Sequence, residues 1–213
     1  MKFEEMLKKS QEYVGYHSVM LGLIGLLASV ALAYSSVATE GQIAKVLAED
    51  QKASLAQVMP EKLHDNDLLK DVVEITDSKM GAHPVKVYLA RQAKEFAGAV
   101  FETSSYGYSG TIRLIMAVDK EGKILGARVL AHTETPGLGD KIEVLRDPWI
   151  TKFNGLSLSN PDEKGWHVKK DGGMFDQFSG ATITPRAVVK AIKQGLDFFS
   201  AHRQELLTST PAK

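Results

Sequence analysis

Between Tyr13 and Thr39 the chain carries no aspartate, glutamate, lysine or arginine. Its apolar heart, VMLGLIGLLASVALA from Val19 to Ala33, is hydrophobic on every side rather than along one stripe. That pattern, and its length, do not suit a core helix, which keeps a polar face. A helix crosses a bilayer with about 20 mainly apolar residues, so the pattern predicts a membrane span over residues 16–38. Ser18, Ser29, Ser35 and Ser36 fit such a span because a serine hydroxyl bonds back to its own helix. Gly22 and Gly25 do not have the spacing of a GxxxG pair, so no dimer face is inferred. A cleaved signal peptide is the competing reading, with Lys2, Lys8 and Lys9 as its basic region and Ala31-Leu32-Ala33 as its cleavage site. Both readings leave those lysines in the cytoplasm and send the remainder across the membrane.

After the apolar run the period changes. Ile43, Val46, Leu47, Leu55, Val58 and Met59 fall near helical spacing, predicting a helix over 42–59 that Pro60 stops. HDNDLL, His64 to Leu69, reads as a polar turn; His64, Asp65 and Asp67 are either a metal cluster or, as is usual for Asn/Asp-rich segments, a capped turn. VKVYLA (Val85–Ala90) alternates with period two and reads as a strand. TIRLIMAV (Thr111–Val118) and KILGARVLAH (Lys123–His132) read as two more, joined by Asp119-Lys120-Glu121-Gly122 as a hairpin with glycine where positive φ is needed. Tyr106-Gly107-Tyr108-Ser109-Gly110 is a glycine-punctuated lead into the first of them. Thr184 and Pro185 predict a helix start, with threonine as N-cap and proline at the first helical position. Val188, Ala191, Ile192, Leu196 and Phe199 form its apolar face, and the chain past Ala201 is expected to be loose.

The resulting architecture is α+β. It comprises a cytoplasmic tail (1–15), the span (16–38), a helical linking region (39–80), a domain with an antiparallel sheet and packed helices (81–202) and a tail (203–213). Apolar residues make up 44% of the 213, enough for a core. The 26 basic and 26 acidic side chains balance, which removes any general electrostatic argument for nucleic acid as a partner. There is no cysteine, which excludes disulfides, thiolate metal sites, iron–sulfur ligation and a thiol nucleophile. Redox chemistry, if present, must reside in an organic cofactor.

Three segments have the composition of a ligand site. DQFSGATITP, Asp176 to Pro185, is a small-residue turn running into a helix N-terminus. Gly180 and Ala181 allow close backbone approach, Ser179, Thr182 and Thr184 supply hydroxyls, and the helix end favours an anion. On local physics it is a phosphate site or an ordinary capped turn. HTETPGLGDKI, His132 to Ile142, follows a strand. Its Pro136, Gly137 and Gly139 present backbone groups while keeping side chains clear, and Glu134 and Thr135 have groups that hydrogen-bond a heterocycle. Taken alone, such a segment is more often a plain loop. DPWITKFNG, Asp147 to Gly155, adds Trp149 and Phe153, either as core or as the wall of a flat ligand.

Taken together and in this order, SGAT with Asp176 three residues upstream, ETPGLG and a tryptophan-containing loop resemble the signature of FMN-binding domains. Such domains occur in the G-type subunit of the Rnf ion-translocating complex and in the C-type subunit of the sodium-pumping NADH:quinone reductase. Length and HDNDLL look like the former. The resemblance implies FMN esterified through its phosphate to Thr182 by a flavin transferase that takes it from FAD. Ser179, Gly180 and Ala181 would shape the turn, and the N–H groups near Thr184 would face the phosphate. Asp176 would be part of what the transferase recognises, or else a loop cap. Glu134, Thr135, Gly137, Leu138 and Gly139 would line the isoalloxazine.

The function so implied is that of a non-autonomous electron relay between ferredoxin and NAD. It would sit in the inner membrane with the domain in the periplasm, beside lipid and the other subunits, which would perform the ion movement. The alternatives are a relay like that of the sodium-pumping reductase, an anchored binding domain without flavin, and a free-standing flavin reductase or sensor.

Overall fold

The computed structural model describes residues 14–209 and divides into two compact units, residues up to Asp50 and residues from Gln51 on. The described part of the first unit is helical. Helix α1 runs without interruption from Val14 to Ala56, 43 residues, or about 64 Å at 1.5 Å per residue. Its Gly15–Ala56 stretch is long and apolar enough to cross a membrane. Leu21, Leu32 and Val37 are each 73% exposed. Ser29 Oγ donates to Gly25 O at 2.8 Å and Thr39 Oγ1 to Ser35 O at 2.8 Å, so these hydroxyls are satisfied within the helix as expected. Lys2, Lys8 and Lys9 lie outside the described residues.

Two separate helices, a span and a linking helix, were expected here; the structure has one. Gly41 weakens a helix by about 1 kcal/mol without stopping it, and Glu40, Ala44, Lys45, Leu47, Ala48 and Glu49 are good helix formers. The helix ends at Ala56, three residues earlier than expected. Proline disfavours helical conformation at the residue before it, and the chain turns at once, with Met59 N–H donating to Leu55 O at 2.9 Å.

The second unit is built on a five-stranded antiparallel sheet in chain order: β1 (Val72–Ile75), β2 (Val85–Gln92), β3 (Glu95–Tyr106), β4 (Thr111–Asp119) and β5 (Ile124–Ala131). β2, β4 and β5 lie where alternation places them, and Gly122 takes φ +86° in the β4–β5 hairpin. β1 and β3 are additions. The 39–80 region is therefore not helical throughout: beyond α1 and the short turn Glu61–Leu63, Val72–Ile75 joins the sheet edge, pairing Val72 with Tyr88.

β3 is the longest strand, and its sequence shows no clean alternation because both its faces are covered. Val100, Ala90, Ile115 and Ala117 pack against Leu55, Val58, Met59 and Leu68 on one side. On the other, Phe101, Leu89, Leu114 and Met116 meet the C-terminal helix α2 (Ile183–Thr208) through Val188, Ala191, Ile192, Leu196 and Phe199. A strand buried on both faces reads as a continuous run.

Two further corrections concern α2. It begins at Ile183, with Thr182 rather than Thr184 preceding it and Pro185 third instead of first. It also continues through Thr208, so the expected loose tail is helical. Leu206 is fully buried, and Arg91 Nη2 donates to Ser209 O at 2.8 Å. That arginine pairs with Asp71 at 2.7 Å, and both side chains are buried. The HDNDLL turn completes the same network. Asn66 donates to Leu89 O and accepts from Arg91 N–H, while Asp65 accepts from Ala93 N–H.

Candidate functional site

Between β5 and α2 the chain is irregular, a series of short 3-10 turns laid over an aromatic cluster. Trp149 and Phe153 belong to this cluster and not to a ligand wall. Both are buried; Phe153 stacks on Phe175 with centroids 4.4 Å apart, and Trp149 meets Phe178 edge to face at 5.2 Å. The indole N–H of Trp149 donates to Asp176 O at 2.9 Å, tying the cluster to the start of the SGAT turn. The Asp176 carboxylate bridges Lys152 and Lys169, each at 2.5 Å. Hydrogen bonding to Lys152, then Lys169, holds its carboxyl well below the usual range, at about 2. The approach to SGAT is thus held by one backbone bond and one cation–anion–cation bridge.

The turn then delivers Thr182 to the start of α2. Gly180 adopts φ +81°, a conformation L side chains rarely take, and Ala181 N–H closes the turn onto Phe178 O at 3.2 Å. Thr182 is itself in helical conformation, so its side chain does not cap α2. Among the described residues its hydroxyl has no hydrogen-bond partner, and the residue is half-buried. The first turn of α2 contains no acidic residue, and its leading N–H groups have no partners within the helix.

Thr184 has a different task from the one expected of it. Only 1% exposed, it donates its hydroxyl to Glu134 Oε2. The other oxygen of Glu134 accepts from Tyr108 N–H and Ser109 N–H, both at 3.0 Å. Glu134 is 4% exposed, so this carboxylate is consumed by three protein donors. It is a clamp joining three distant segments. The approach is so close that a Cβ on Gly107 would lie 2.5 Å from Glu134 Oε1. Behind the clamp, His132 Nδ1 accepts from Glu134 N–H at 3.1 Å, which fixes the neutral tautomer with Nε2–H donating to Glu143 at 2.6 Å.

These segments enclose a cleft of about 540 Å³, within the range of small-molecule sites. It is lined by Glu134, Thr135, Leu138 and Gly139 from the loop after β5 and by Gly180, Ala181, Thr182 and Thr184 from the turn and helix start. Ser179 and Gly137 do not line it; they are exposed on the two turns that carry the lining residues. Tyr108 and Ile183, which sequence reasoning left out of the site, do line it. Only an aromatic residue framed by glycines between two strands pointed to Tyr108.

Size alone does not select this cleft, since another, beside His132, measures about 690 Å³. What distinguishes the first is its donor set: an uncapped hydroxyl, a helix N-terminus and apolar walls. That set suits a phosphate attached to a flat ring. Among the described residues no cluster of His, Cys, Asp or Glu is arranged to hold a metal ion; His64 bonds Asn66 O, and Asp67 bonds Leu69 N–H.

Residues 107–197 match the model of the FMN-binding domain. The chain is 54% identical over 195 residues to the G-type subunit of the ion-translocating oxidoreductase complex of Cereibacter sphaeroides, covering 92% of this chain and 88% of that one. It is 47% identical to the corresponding subunit of Stutzerimonas stutzeri, covering 88% and 82%, and 42% identical to that of Shewanella piezotolerans, covering 92% and 93%. Among solved structures, the crystal structure of Shewanella oneidensis NqrC is similar with a TM-score of 0.47 at 25% identity, covering 71% of this chain and 75% of that one.

Proposed function

This chain belongs to the family of G-type subunits of ion-translocating oxidoreductase complexes, and from that membership we propose that it is an electron relay holding FMN as a phosphoester of Thr182. The observation that carries the attachment is a contrast between two neighbouring threonines. Thr184 is buried and committed to Glu134, whereas Thr182 lines the cleft with an uncommitted hydroxyl. In maturation, Thr182 Oγ bonds to the flavin-side phosphorus of FAD. The pyrophosphate bond breaks, AMP leaves, and the hydroxyl proton passes to a base of the flavin transferase.

When bound, the flavin supplies one-electron chemistry. The chain supplies position and field. The N-terminus of α2 favours the negative phosphate, but the Glu134 carboxylate already lies beside that helix start. A diester, with one charge instead of a monoester's two, lessens the repulsion between them. The tether also keeps the local flavin concentration high without tight noncovalent binding, leaving the ring open to an exchange partner.

α1 anchors the relay. Lys2, Lys8 and Lys9 favour a cytoplasmic N-terminus, which puts the domain in the periplasm and α1 in the inner membrane. α1 has no Asp, Glu, Lys or Arg before Glu40, and its histidine, His17, lies near its N-terminal, cytoplasmic end, so ion movement belongs to the partner subunits. The stretch 81–202 is the flavin-carrying part of this assignment; residues 51–80 pack into the same unit instead of merely linking it to the anchor.

The test is the protein made in cells that also make the transferase. Its band should fluoresce after denaturing electrophoresis, and a peptide containing Thr182 should carry the added mass of FMN. Thr182→Ala should lose both while still folding and melting cooperatively. A wild-type peptide of unmodified mass overturns the assignment.

A further inference from the structure

Tyr108 stands out as a large aromatic residue that is 68% exposed yet sits on a turn held by three hydrogen bonds. The turn is closed by Gly107 N–H donating to Gly110 O at 2.7 Å. Both N–H groups inside it, those of Tyr108 and Ser109, end on the buried Glu134 carboxylate. A Cβ at Gly110 would meet Thr133 Oγ1 at 2.5 Å, so the turn lies directly on the start of the ETPGLG loop. A buried carboxylate is expensive to desolvate. Here it fixes a turn whose one large side chain lines the cleft. Leu138 and Ile183 line the same cleft, 44% and 45% exposed. Three apolar side chains from three segments therefore border one space, the common construction of a slot for a flat ring.

We propose that Tyr108 is the aromatic cover of the isoalloxazine, preorganised by Glu134, with Leu138 and Ile183 as the other apolar borders. This rests on the flavin assignment of the preceding subsection. An offset or edge contact between aromatic rings is favourable beyond its buried area, and a residue already held in place loses little freedom in making it. Tyr108 then controls how much of the ring solvent and small solutes can reach, while Glu134 acts as a positioning residue through its backbone bonds.

The experiment uses the full chain in detergent, made together with the flavin transferase, as wild type, Tyr108→Ala and Tyr108→Phe. Peptide mass first establishes that each carries flavin. Iodide quenching of the native flavin fluorescence, at constant ionic strength and divided by each variant's unquenched lifetime, then reads ring accessibility. Losing one aromatic contact should raise the quenching constant of Tyr108→Ala about fivefold. Tyr108→Phe, which keeps the ring, should match wild type. A flavin-bearing Tyr108→Ala that is quenched like wild type overturns the proposal, as does wild-type protein no better shielded than the same protein unfolded in urea. Absence of flavin from wild type would instead overturn the flavin assignment itself.

Discussion

Replacing Glu134 by alanine removes the acceptor of three hydrogen bonds at once. The three do not cost the same. Tyr108 and Ser109 are exposed, so water can take over their N–H groups, and each contributes about 0.5–1 kcal/mol despite its charged acceptor. Thr184 is 1% exposed; its hydroxyl has no route to water and is left unsatisfied at about 1–3 kcal/mol. The sum is about 2–5 kcal/mol, which for a unit of this size lowers the melting temperature by about 4–20 °C. Glu134→Gln keeps one oxygen for both turn N–H groups and exchanges the other for an amide, so it should retain more than half of that stability. Thermal melting of the full chain in detergent, followed by circular dichroism, measures both. A loss below about 0.5 kcal/mol in Glu134→Ala refutes the clamp. Equal losses in the two variants would mean that negative charge near the start of α2, rather than three-point bonding, carries the effect.

Asp176→Asn should lower the melting temperature at pH 7 by weakening the bridge to Lys152 and Lys169. The folded carboxyl is depressed to about 2, so its contribution is fully present above the ordinary aspartate range and fades as the pH falls toward 2. The difference between variant and wild type should therefore shrink in acid melts; a difference as large at pH 2 as at pH 7 refutes the bridge. Arg91→Met should cost about 3–5 kcal/mol in urea titrations because Asp71 is left buried without its partner. Arg91→Met combined with Asp71→Asn should recover part of that loss, and no recovery would refute the pairing. At Gly180, alanine meets only Leu138 Cδ2, at 3.5 Å, so Gly180→Ala should cost the backbone strain alone, about 1–2 kcal/mol in the same titration.

Local patterns determined a good part of this molecule. The uncharged run made α1 legible, strict alternation made β2, β4 and β5 legible, and Asp119–Gly122 announced its own hairpin. SGAT and ETPGLG marked two of the three segments of the site. Each is a property of neighbouring residues: a length of apolar helix, a period of two, a turn that needs glycine. Tertiary structure decided what depends on distance along the chain. β3 was hidden because elements from both ends of the unit cover its two faces, and α2 keeps its last turns because Ser209 is held by Arg91, 118 residues earlier. Trp149 and Phe153 went to the core because the loop folds over them. Thr182 and Thr184 looked alike in sequence. They differ because Glu134, 50 residues from Thr184, takes one hydroxyl and leaves the other uncommitted. Tyr108 joined the site through the same carboxylate. A buried charge must gather its donors from wherever the fold brings them, and no local pattern records where that will be.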